Sequence, residues 1–170
     1  MLEPHLFMNE LDSKAAAAAL RRACGAERWV TRMNELRPFP STTALLDSAE
    51  REWRRLERAD YLEAFTHHPQ IGEDLEALRS RFSGPLDVAA REQAGVANAS
   101  ERVLLALRDG NRAYRERFGY LFIVCATGKT ADEMLELLGS RLSADADSEL
   151  MTAADEQAKI TRLRLLELGR

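Results

Sequence analysis

The sequence predicts an all-α fold, a single-domain bundle of about eight helices spanning residues 1–170. Apolar residues recur at three- and four-residue spacings along most of the chain, and capping or stop residues stand at nearly every boundary between these stretches. Alternation of polar and apolar residues, the mark of a half-buried strand, is nearly absent.

Taken in order, Ser13 caps a first helix, an alanine-rich run that ends near Cys24 with Gly25 in the left-handed stop position. A second short helix carries Trp29 and Met33 and is ended by Arg37-Pro38-Phe39-Pro40. Ser41 caps a third, with Leu45, Leu46, Ala49, Trp53 and Leu56 at helical spacing. Asp60 opens a fourth, which turns Tyr61, Leu62 and Phe65 inward; Pro69 then forces His68 out of helical geometry. A fifth, around Asp74 to Phe82, gives way to the turn signal Ser83-Gly84-Pro85. The longest tract runs from Asp87 to Arg117, with a bend expected near Gly95 or Gly110. Residues 119–128 read equally as a strand or as the start of a buried helix. Thr130-Ala131-Asp132-Glu133 is a capping box for a helix bearing Met134, Leu135, Leu138 and Leu142, and a last helix covers Asp147 to Leu168. Neither an internal repeat nor a linker interrupts this series.

A chain of 170 residues with 45% apolar side chains suffices for one sizeable core. The net charge of -4, with both signs mixed along the chain, leaves no basic stripe to track a phosphate backbone, so no nucleic acid partner is expected. Ala15 to Leu20 and Tyr120 to Ala126 are the longest apolar runs, too short for a bilayer, and the N-terminus lacks the regions of a secretory signal. A soluble, cytoplasmic protein without a membrane partner is the expectation. Cys24 and Cys125 have no metal-ligand spacing and are expected as reduced thiols. There is no HExxH helix, nucleophile elbow or CxxC pair, and adjacent His67 and His68 are poorly disposed to share one metal ion. Gly128-Lys129-Thr130 resembles the end of a phosphate loop, but Ile123 stands where its first glycine belongs. Neither a metal nor a nucleotide is expected.

Three residues stand out chemically. Two of the three histidines, His67 and His68, sit at a predicted helix end, His5 being the third. Imidazole both takes and gives protons near neutral pH, so His68, fixed beside Pro69, suits acid–base work; a helix cap or surface corner is the plainer role for such a residue. Glu92 interrupts a stripe of Ala89, Val96, Ala99 and Val103. A carboxylate there loses hydration, which favours its protonated form, unless it lies at the edge of the stripe and reaches water or an arginine. Gln93 beside it both donates and accepts. Arg164, between Ile160 and Leu168, runs its stem along apolar surface and can grip a carboxylate or a pair of carbonyl oxygens, though a structural salt bridge is the usual fate of such a residue. Lys159 and Arg162 fall on another, solvated side.

A set of short motifs runs through nearly the whole chain in a specific order. They are Trp29 to Met33 with Arg37-Pro38-Phe39, Glu63 to Phe65 with His68-Pro69-Gln70-Ile71-Gly72, and Glu92-Gln93-Ala94-Gly95-Val96. Asn111 with Tyr114, Arg117-Phe118-Gly119, Phe122 to Lys129, Met134-Leu135, Arg141-Leu142 and Lys159 to Leu165 follow. In this order and spacing the chain resembles the 2-oxo-4-hydroxy-4-carboxy-5-ureidoimidazoline (OHCU) decarboxylase family of urate breakdown. The resemblance implies an all-α homodimer that needs no cofactor and converts the small molecule OHCU to (S)-allantoin and CO2. By position, it implies that His68 and Glu92 are catalytic. It also implies that Pro69, Ala89, Gln93, Phe122, Ile123, Val124, Cys125, Ala126 and Arg164 bind substrate.

One departure bears on specificity. The family usually has Ser three residues before the Glu, whereas this chain has Ala89, preceded by Val88 in place of Trp. Two other readings stay open at this point: a decarboxylase of a related carboxylated ureido ring, and a non-catalytic helical interaction module.

Overall fold

The computed structural model describes residues 2–69, 71–82 and 94–170, with residues 71 and 94–100 as backbone alone. Among the described residues there are nine α-helices and no strand: α1 Pro4–Glu10, α2 Ser13–Ala23, α3 Glu27–Glu35, α4 Thr42–Trp53, α5 Arg58–Thr66, α6 Leu75–Phe82, α7 Ala94–Phe118, α8 Ala131–Leu142 and α9 Ala146–Leu166. A 3-10 turn, Ile71–Glu73, precedes α6. Among these residues no helix is long and apolar enough to cross a membrane. The chain divides into two compact units, one of Met1–His68, Ile123–Cys125 and Thr152–Arg170, the other of Pro69–Phe122 and Ala126–Met151.

In the first unit, α1 is an element that the hydrophobic pattern did not announce; its seven residues make two turns, begun by Pro4 and anchored by buried Met8. Asp12, not Ser13, caps α2, its carboxylate accepting from the Ala15 amide at 2.8 Å. Ala16, Ala19, Leu20 and Ala23 then fall on one buried stripe. Ser41 caps α4 as the sequence predicts, accepting from Ala44 N at 3.0 Å. Asp60 is the third residue of α5 rather than its opener, closing a reciprocal capping box with Glu57. Two buried indoles tie the helices together: Trp29 Nε1 donates to Ala49 O and Trp53 Nε1 to Ala154 O, each at 3.0 Å.

Gly25 does not adopt the left-handed conformation expected of it; positive φ occurs at Gly119, Gly128 and Gly169. α2 instead ends with Cys24 in an extended conformation. Cys24 is fully buried, and that burial pushes its thiol up to about 12.

In the second unit α7 runs unbroken through Gly110, whose hydrogen faces Leu138 on α8; a β-carbon there would stand 2.7 Å from Leu138 Cδ2. The glycine marks a close helix approach rather than the predicted bend. The capping box of Thr130 and Glu133 opens α8 as expected. At the centre of the unit, Arg141 Nε donates to Glu149 Oε1 at 2.7 Å, and the Tyr114 hydroxyl donates to the same oxygen. Tyr114 and Glu149 are 0% and 1% exposed, so this charged group sits wholly inside, compensated by its own partners. Burial and the carboxylate push the Tyr114 phenol far above its ordinary range.

Residues 119–128 are neither strand nor helix. The segment is apolar enough for both, but positive-φ Gly119 and Gly128 bracket it, and the Cys125 amide bonds to a side chain instead of a ladder partner.

Candidate active site

His67 and His68 follow the last turn of α5, their amides donating to Ala64 O and Phe65 O at 3.2 Å each. Exposed Pro69 then stops the helix, as its fixed φ and missing N–H require. The two imidazoles have different surroundings. His67 Nδ1 lies 3.1 Å from the Glu63 carbonyl, which can only accept, so that nitrogen carries the proton. His68 is half-buried, and its Nε2 meets the side-chain oxygen of Gln157 on α9.

Gln157 is 0% exposed and donates through Nε2 to the Thr161 hydroxyl at 3.1 Å; Thr161 in turn reaches Ala23 O at 3.5 Å. Burial holds His68 below its ordinary range by disfavouring the cation. The Gln157 bond opposes this shift, while Arg164 and His67 add to it. At neutral pH His68 is therefore an uncharged imidazole with one nitrogen engaged, the form needed to accept a proton.

Arg164 takes the second of its two foreseen options, a pair of carbonyls. Its Nη1 lies 3.3 Å from both Arg22 O and Ala23 O, at the negative end of α2. Ala23 O thus joins two routes, one through Thr161 and Gln157 to His68, the other directly to Arg164. A guanidinium carries five donors, so this anchor leaves it able to bind a further acceptor.

Ile123 to Cys125 belong to the same unit, with Ile123 buried. The Cys125 amide donates to Glu156 Oε2 at 2.7 Å, so one main-chain donor of the expected substrate-lining segment is already engaged. Phe122 and Ala126 belong to the second unit, where the Arg141 guanidinium stands 4.6 Å from the Phe122 ring centre. Ala126 O accepts from Lys129 N at 3.1 Å in a turn. Ala89, Glu92 and Gln93 lie outside the described residues. His5 pairs with Thr42 at 3.0 Å. Among the described residues no three His, Cys, Asp or Glu side chains are placed to hold a metal ion.

The sequence reading missed Gln157, Thr161 and Glu156. A signal existed: Gln157 and Thr161 share the face of α9 that carries Arg164.

The family model described as OHCU decarboxylase matches residues 9–166. The chain belongs to the OHCU decarboxylase family. This OHCU decarboxylase family member is 28% identical to a crystal structure of OHCU decarboxylase in the presence of (S)-allantoin, with a TM-score of 0.71, over 93% of this chain and 98% of that one. It is 34% identical over 146 residues to the uric acid degradation bifunctional protein TTL of Arabidopsis thaliana, covering 85% of this chain but 44% of that protein. The chain therefore spans less than half the length of that relative. It is 28% identical to the 2-oxo-4-hydroxy-4-carboxy-5-ureidoimidazoline decarboxylase of Haloferax volcanii, over 94% of this chain and 92% of that one. The all-α class predicted for this OHCU decarboxylase family member agrees with its helices and with the solved structure.

Proposed function

We propose that the chain, as one domain, decarboxylates OHCU to (S)-allantoin and CO2 without a cofactor. The observation that carries this reading is the half-buried, neutral imidazole of His68 at a proline-terminated helix end, held by an internal amide, in a member of this family. The carbon that loses CO2 bears a hydroxyl and adjoins the ring imine. Breaking the C–CO2 bond moves its electron pair into the bond toward the imine carbon, and the imine nitrogen takes a proton. The product is an enol. Its hydroxyl loses a proton, and the carbon bearing the ureido group gains one on a single face. Substrate carboxylate plus one proton thus gives allantoin plus CO2.

In this scheme His68 takes the hydroxyl proton and governs its return to carbon. Arg164 and the main chain of residues 122–126 orient the ring oxygens and ureido group, with Pro69 and Ala89 lining the substrate. Glu92 and Gln93 hydrogen-bond the ring nitrogens and stabilise the enol. A cytoplasmic homodimer is the accompanying proposal, tested by light scattering on the purified chain and by microscopy of tagged cells.

The deciding experiment generates OHCU in situ from urate with the two upstream enzymes and follows allantoin by circular dichroism. Rapid formation of an optically active product, lost in His68→Ala, supports the reading. Only slow formation of optically silent product from folded protein overturns it. Ala89 favours one second reading, a related carboxylated ureido ring as preferred substrate, which a comparison of kcat/KM between the two compounds tests.

A further inference from the structure

We infer that Gln157, oriented by Thr161, is a positioning residue that fixes the tautomer of His68, placing the proton on Nε2 and leaving the Nδ1 lone pair to act as base. The inference rests on the proposed catalytic role of His68 and adds the device that prepares it.

A chain of hydrogen bonds runs from a fixed end at Ala23 O through Thr161 and Gln157 to His68. Ala23 O can only accept, and the Thr161 hydroxyl, 3.5 Å from it and also hydrogen-bonded to Cys24, turns its proton to that side. That hydroxyl's lone pair then accepts from Gln157 Nε2 at 3.1 Å, which turns the amide oxygen toward His68. The amide oxygen also can only accept, so His68 Nε2 is an N–H. Reversing the amide would draw the Thr161 hydroxyl away from Ala23. Gln157 is 0% and Thr161 5% exposed, so water does not compete for either bond.

The neighbouring ring provides a contrast. His67 carries its proton on Nδ1, against Glu63 O, so two consecutive imidazoles are sorted into opposite tautomers by different acceptors.

An amide suits the task better than a carboxylate. When His68 takes a proton on Nδ1, Nε2–H keeps its bond to a neutral oxygen, so the cation is tolerated without being trapped. A carboxylate at 157 would hold His68 protonated and block its action as a base. The charged groups acting on His68 are Arg164 on α9 and His67 beside it, and both disfavour the cation.

The test begins on the full wild-type chain, with two-bond proton–nitrogen NMR of the labelled imidazoles. At a pH where both rings are neutral, His68 is expected with Nε2 protonated and His67 with Nδ1 protonated. A protonated Nδ1 or an averaged mixture at His68 overturns the inference. Thr161→Val and Gln157→Leu are expected to mix the His68 tautomers and lower kcat about ten-fold or more with KM little changed, while Thr161→Ser restores both. In Gln157→Glu the acidic limb of the pH–kcat profile should move to higher pH. An unmoved tautomer and pH profile in Thr161→Val also overturns the proposal, and needs no folded Gln157→Leu. The two readings separate cleanly. Full turnover in His68→Asn removes the catalytic role whatever the tautomer, whereas a protonated Nδ1 beside an inactive His68→Asn removes only the positioning role.

Discussion

The ring of His67 fills the space that a β-carbon on residue 25 would require: such an atom would stand 2.2 Å from His67 Cγ and 2.3 Å from Nδ1. These are atoms near the root of the side chain, so relief requires the end of α5 to move, and His68 with it. Gly25→Ala should therefore cost about 1–3 kcal/mol in stability and lower turnover as well. His67→Ala should restore part of both, because it removes the ring but keeps the β-carbon, which would still stand 2.7 Å from the added atom. A double-mutant cycle by chemical denaturation measures the coupling; strictly additive effects would contradict the steric account.

The depressed proton affinity of His68 carries a sign for stability. A base whose folded form binds protons less readily than its unfolded form stabilises the fold fully above its unfolded value, near 6.5. That contribution is lost as pH falls from 6.5 toward the lower folded value. The wild-type Tm should therefore fall more steeply below pH 6.5 than that of His68→Gln. Equal slopes in parallel thermal melts would rule this out.

Arg164 is proposed to serve both the fold and the substrate. Arg164→Ala removes its bonds to Arg22 O and Ala23 O and should cost about 1–2 kcal/mol, with a raised KM for OHCU. Arg164→Lys keeps a cation but not the planar fork, so it should recover stability better than KM. An unchanged KM in Arg164→Ala would limit the residue to a structural role.

The buried ion pair of the second unit should respond asymmetrically. Glu149→Leu alone leaves Arg141 without its carboxylate and should cost about 3–5 kcal/mol. Combining it with Arg141→Met should be milder than the single change, because no charge then remains inside. Urea denaturation of the variants measures both, and a double variant weaker than either single one would refute the desolvation argument.

How far the sequence could be read depended on the range of each interaction. Ser41 and Thr130 were legible as caps because their bonds close within three residues. α1 was not, because two turns are too short to display a period. Gly25 looked like a local backbone signal, yet what requires glycine is a ring 42 positions away, which no local rule senses. Residues 119–128 stayed ambiguous because hydrophobicity does not reveal whether a partner strand exists. At the site, His68 stood out as an imidazole before proline at a helix end, and Arg164 as an ionisable group on an apolar pattern. Gln157 did not: its place on the Arg164 face of α9 was visible, but a neutral amide there is ordinary until its burial and its partners are known.

The two cysteines differ in a way that makes the native chain its own labelling reagent. Cys24 is sealed inside, and its thiol holds its proton until about pH 12, whereas Cys125 is half-buried. Of the two thiols, a maleimide added to the folded protein at neutral pH thus finds only that of Cys125 outside the fully buried core. A fluorine or fluorescent tag placed there would report from the segment proposed to line the substrate, without a single engineered residue.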